Sequence, residues 1–119
     1  MAKTAKLTAN LQVTIGNLAI TGGKSQTLTI AGDEAIGVQQ AVGTSSEALV
    51  VGDVNTIGSL YIENTDAANF VEIDSASTFD KFPQKILAGG FVLLHPQTAS
   101  LFVKANTASV NILVVATEL

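Results

Sequence analysis

The feature that most constrains this chain is a period of two. Leu7, Ala9, Leu11, Val13 and Ile15 fall on one side of an extended backbone, and Thr8, Asn10, Gln12 and Thr14 fall on the other. Successive strand residues point to opposite faces, so this stretch reads as a half-buried strand of an antiparallel sheet. The same alternation returns at Gln26, Leu28 and Ile30 against Thr27 and Thr29. It returns again at Leu60 and Ile62 against Tyr61 and Glu63, and at Leu101, Val103 and Ala105 against Phe102 and Lys104. Helical periodicity is almost absent.

Between these runs stand turn residues. Gly16 punctuates the first run, and Leu18 and Ile20 resume it. Thr21-Gly22-Gly23-Lys24 reads as the first hairpin turn, because Gly-Gly supplies the positive φ that primed turns require. Ala31-Gly32-Asp33-Glu34 makes a second turn, before a weaker strand over 36–42 and a short apolar one over 47–51. A strand over 59–64 and another over 69–74 are expected to pair as a hairpin across Thr65-Asp66-Ala67-Ala68. Residues 74–85 read as a long loop that tucks Phe79 and Phe82 inward. Gly89-Gly90 and Asn106-Thr107-Ala108 mark turns before strands over 91–95 and 110–117. Eight to ten short strands at this spacing imply an all-β fold, a β-sandwich or barrel with the antiparallel β-sandwich preferred, in one domain over residues 1–119 with a candidate flexible N-terminal arm at 1–6.

Composition excludes several function classes. The 119 residues include no cysteine, so neither a disulfide nor a thiolate metal site is available. The net charge is −4 and every basic residue is lysine, which argues against nucleic-acid binding, where the arginine fork dominates. Apolar runs such as Ile112 to Ala116 are far shorter than the roughly 20 residues of a spanning helix, and no membrane segment is expected. Lys3 and Lys6 precede a strand pattern rather than the apolar core of a signal peptide. The apolar fraction, 47%, exceeds what a small sandwich can bury alone, so the surplus is expected to sit against sister copies.

Reactive chemistry is scarce. His95 is the lone histidine, and with no second histidine and no nucleophile elbow it reads as a strand-terminal surface or interface residue. Glu63 and Glu72 would face each other on the expected hairpin, but one tyrosine and no tryptophan make a poor sugar platform for a carboxylate pair. Asn64, Asp66 and Asn69 offer oxygens to a calcium ion, yet the same residues are what turns require, and the turn reading is preferred. No catalytic residue, cofactor or metal ligand is assigned.

Several phrases stand in a recognisable order: Glu47-Ala48-Leu49-Val50-Val51-Gly52-Asp53, then Asn64-Thr65-Asp66-Ala67-Ala68-Asn69 followed by Val71-Glu72-Ile73, then Leu87-Ala88-Gly89-Gly90, then Ala105-Asn106-Thr107-Ala108. Over residues 38–117 the chain resembles a family of small virion proteins of tailed bacteriophages. It departs from the family at Ala88 and Gly89, where a charged residue and a proline are expected. The resemblance implies a jelly-roll-like, non-enzymatic subunit of the virion, made in the host cytoplasm. Its first placement is capsid decoration, as a homo-oligomer (a trimer favoured) on the major capsid protein. The alternative is a tail, neck or fibre component that binds the host surface. Lys3 and Lys6 in the arm, and Phe79, Lys81 and Phe82 in the 74–85 loop, are the candidate interface residues.

Overall fold

The computed structural model describes residues 3–119, and among them there is no helix. There are ten strands: β1 Thr4–Ile15, β2 Leu18–Thr29, β3 Ala35–Val42, β4 Glu47–Ala48, β5 Ile57–Asn64, β6 Val71–Asp74, β7 Gln84–Ile86, β8 Phe91–Leu94, β9 Phe102–Ala105 and β10 Val110–Glu118. All pairings are antiparallel. The chain forms two compact units, one ending at Ala31 and one running from Gly32 to Leu119.

The first unit is a two-stranded sheet of β1 and β2, in register from Thr4↔Thr29 to Ile15↔Leu18. Its turn is Gly16-Asn17, not the expected Gly22-Gly23. Gly16 takes a positive φ of 59° at the first central position, as a two-residue type II′ turn requires. Gly22 and Gly23 lie inside β2, opposite Leu11 and Asn10. Nor do residues 4–6 form a flexible arm: they are the first residues of β1, with Lys6 opposite Thr27. Of the rest of that arm, Met1 and Ala2 lie outside the described residues, and the Lys3 carbonyl accepts from Ile30 N at 2.8 Å. Among the described residues of this unit only Leu7 is buried. The expected half-buried strand is therefore mostly exposed, with Leu11 70% and Ile15 68% accessible.

The second unit holds two four-stranded sheets, in the orders β3-β10-β5-β8 and β4-β9-β6-β7. Its eight strands pair in a nested way. The first pairs with the last (β3 with β10), the second with the seventh (β4 with β9), the third with the sixth (β5 with β8) and the two middle ones with each other (β6 with β7). The remaining contacts, β10 with β5 and β6 with β9, join these pairs into sheets. The expected hairpin of 59–64 with 69–74 does not form, because β5 and β6 belong to different sheets.

The alternation within each strand sets what is buried. Leu60 and Ile62 of β5, Val71 and Ile73 of β6, Val103 and Ala105 of β9, and Ile112, Val114 and Ala116 of β10 form one cluster drawn from both sheets. Burying each Ile or Val side chain contributes roughly 1.5–3 kcal/mol. A register shift opposite Gly58, between Thr117 and Glu118, puts Ile57 into that cluster as well. A Cβ on Gly58 would stand 2.9 Å from the Cα of Leu119, so glycine is required where the chain end runs past.

Candidate interaction surfaces

Three polar side chains fix the loops of the second unit. Asn64, at the end of β5, is fully buried. Its Nδ2 donates to the carbonyls of Asn69 (2.9 Å) and Ile86 (3.0 Å), and its Oδ1 accepts from Asp66 N. Asp66 in turn accepts from Ala68 N and Asn69 N, and these backbone donors, Asn69 first, hold its carboxyl below the usual range. The oxygens that suggested a calcium site are thus engaged: those of Asn64 and Asp66 with the local backbone, and Asn69 Oδ1 with the Thr107 hydroxyl. Gln40 of β3 joins its own strand to the next segment through Glu47 Oε1, Ala48 O and Val50 N.

Asp74, buried at the end of β6, organises the 74–85 loop. Its carboxylate accepts from the backbone N–H groups of Ser75 (2.6 Å), Lys81 (3.0 Å) and Phe82 (3.0 Å). Desolvation alone would raise its pKa, but the donors from Phe82, Lys81 and Ser75 outweigh it and hold the carboxyl below the ordinary aspartate range. The loop is therefore pinned at both ends to one carboxylate. Within it Phe79 adopts a positive φ of 55°, and the ammonium of Lys104 sits 4.5 Å from the centre of its ring.

The candidate interface residues fall in different places. Phe82 is 77% exposed and Lys81 is exposed, so the loop presents this part of itself outward rather than tucking both rings in. Phe79 is half-buried beneath Lys104 and lies outside the buried cluster. Lys6 projects from the polar face of the β1–β2 sheet, in the row of Thr4, Thr8 and Asn10, and Lys3 precedes that sheet. Glu63 and Glu72 do not face each other. Glu63 Oε1 accepts from the Tyr61 hydroxyl at 2.6 Å, while Glu72 stands between Lys85 and Lys104 in the register of the other sheet.

Beside Phe82 a cleft of about 260 Å³ opens, lined from both sheets by Ile73, Leu94 and Leu101 among apolar groups and by Asp74, Gln84 and His95 among polar ones. His95 is exposed there, its Nδ1 donating to the Gly58 carbonyl at 3.2 Å. Gln97, with a positive φ of 49°, shapes the same rim through its N–H to the Ile57 carbonyl. This space falls below the roughly 300–1,000 Å³ of small-molecule sites, so it suits a single inserted side chain better than a whole ligand. Among the described residues no group of three or more acidic or histidine side chains is placed to hold a metal ion.

No family model, curated protein or solved structure matches the chain. The reading of function therefore rests on the residues and their arrangement. Sequence reasoning missed the cleft because its walls come from three strands, β6, β7 and β8, and from the loops after β6 and β8. It also missed Asn64, Gln40 and Asp74 as anchors, since nothing local distinguishes a buried Asn or Gln from a turn residue.

Proposed function

We propose that this protein is a non-enzymatic structural component of a phage virion, a capsid decoration protein that binds the outer surface of the head as an oligomer, a trimer favoured. In this reading the second unit is a jelly-roll β-sandwich. The nested pairing of its eight strands carries the proposal, since a jelly roll is an eight-stranded chain folded over as two Greek keys, an architecture common in viral shells. Fold alone does not assign a role, so the virion part rests on the ordered motifs from Glu47 to Ala108.

The partners in this reading are copies of the same chain and the major capsid protein, with neither nucleic acid nor membrane among them. No cofactor takes part. Binding energy comes from many modest contacts repeated over a closed lattice, where avidity multiplies weak interfaces. Phe82 and Lys81, presented on a loop pinned by Asp74, are the lattice contacts proposed for the body of each subunit. An exposed aromatic on a preorganised loop loses little conformational entropy on docking.

A second reading, a tail, neck or fibre module that binds the host surface, is favoured by the cleft beside Phe82 and His95. One experiment separates the two. Capsids stripped of the protein regain heat resistance when it is added back if it decorates the shell, and Phe82→Ala weakens that rescue. Binding to host cells without binding to capsids overturns the decoration reading.

A further inference from the structure

The first unit is an amphipathic sheet whose apolar face is buried at Leu7 and uncovered from Leu11 to the Gly16 turn. Register places Leu11, Val13 and Ile15 of β1 on the same side as Ile20 and Leu18 of β2, while the other side carries Thr, Asn, Gln, Ser and Lys6. Leu11, Ile15, Leu18 and Ile20 are each more than half exposed, at 54–70%. An isolated two-stranded sheet is marginal in water, and 12-residue strands carry long unpaired edges, so this face calls for a cover.

A second uncovered face lies on the β3-β10-β5-β8 sheet. Two rows of directly opposed residues cross it: Gly37, Val115, Tyr61 and Leu93, and beside them Gln39, Leu113, Glu63 and Phe91. The alternate residues of these strands fill the core, so these rows point away from it. Val115 is 41% and Phe91 62% exposed, and nothing lies within 4 Å of where a Cβ on Gly37 would stand. The result is a mostly apolar sheet surface, with open space over Gly37 and a carboxylate at Glu63.

Charge says which face covers which. The stretch up to Ala31 carries three lysines and no acid, whereas the stretch from Gly32 onward carries three lysines against ten acids. Two hairpins face to face would bring like charges together; a hairpin against the acidic unit brings opposite ones. Lys24 shares the hairpin's apolar side, opposite Ala9, as Glu63 shares the sheet's.

We propose that the apolar face of the β1–β2 hairpin of one copy packs on the outer face of the β3-β10-β5-β8 sheet of a second copy, sheet on sheet. The contact is heterologous, using a different patch on each partner, and so closes into a ring when the rotation allows. It goes beyond the virion reading and needs no shell. Because it is read on purified protein, its failure and that of capsid binding are separate results.

The test uses two variants and their mixture. Leu11→Lys with Ile20→Lys spoils the hairpin face. Gly37→Lys spoils the sheet face, and the body tolerates it because the space above Gly37 is open and its backbone is ordinary strand. In sedimentation equilibrium the parent chain has a multiple of the 12.2 kDa subunit mass. Each variant alone falls to the subunit mass, with an unchanged far-ultraviolet spectrum for Gly37→Lys. An equimolar mixture recovers a one-to-one dimer, since one intact hairpin and one intact sheet face remain. A monomeric parent, an oligomeric Gly37→Lys variant, or a mixture that stays at the subunit mass overturns the proposal.

Discussion

At the scale of single residues, the anchors decide more than the apolar positions do. Asn64 makes three side-chain hydrogen bonds in a fully buried place, and two of its partners are backbone carbonyls. Replacing it with Ala strands those groups without water, so Asn64→Ala is expected to cost about 3 kcal/mol in urea unfolding of the protein. Tyr61 gives a second, independent check. Its hydrogen bond to Glu63, then burial and the Glu63 charge, push the phenol above its ordinary value of about 10. As the sole tyrosine it can be followed by absorbance near 295 nm, a wavelength on the phenolate band. Its titration midpoint is expected above that value and lower in Glu63→Gln. Because the folded pKa is raised, the stability from this pair is complete below the unfolded pKa and disappears as pH rises through the folded one. The inward phase of Leu60 and Ile62, and of Leu101, Val103 and Ala105, was legible in the alternation. The roles of Asn64 and Asp74 were not, because a turn-forming Asx and a buried anchoring Asx have the same local neighbours.

At the scale of elements, strands were legible and their partners were not. The alternation located β3, β5, β9 and β10 to within two or three residues, because it records which face is apolar. Pairing depends on residues far apart in sequence. The Thr65-Ala68 stretch reads as a hairpin turn, yet Asn64 N and Thr65 N keep the end of β5 bonded within its own sheet, to the carbonyls of Gly90 and Asn111, while the Asn64 side chain reaches across to Ile86 of β7, and the chain then enters that other sheet at β6. The first hairpin was misplaced for a related reason. Gly22-Gly23 is the stronger turn signal in composition, but a turn there would leave the first run unmatched in length, whereas Gly16-Asn17 joins two strands of 12 residues each. The two sites make opposite predictions. Gly16→Val forces a β-branched residue to a positive φ and is expected to lower amide protection across β1 and β2 by about 1–2 kcal/mol in hydrogen exchange. Gly22→Thr, in extended backbone with open space at Cβ, is expected to leave that protection unchanged or raise it by up to about 1 kcal/mol.

At the scale of the whole molecule, alternation shows that a face is apolar and is silent on what covers it. That is why β1 is expected to be half-buried and is mostly exposed. Acid response is a property of the second unit as a whole. Asp66, Asp74 and Glu118 all have depressed pKa values, the last through the N–H of Asp33, then Asn55 Nδ2 and the N–H of Glu34. A depressed carboxyl contributes stability above its unfolded pKa, near 4, and loses it as pH falls through the lower folded value. The melting temperature is therefore expected to hold from neutrality to about pH 5 and to drop progressively below pH 4, with Asp74→Asn flattening the acid limb. The proposed function makes this chain a non-enzymatic, jelly-roll-like subunit that covers a capsid lattice. Quantitative mass spectrometry of purified phage particles, with the protein located by electron cryomicroscopy, tests that claim most directly. The prediction is copies on the order of hundreds per particle, arrayed on the outer face of the head; a dozen or fewer confined to the tail or neck, or none at all, would contradict it.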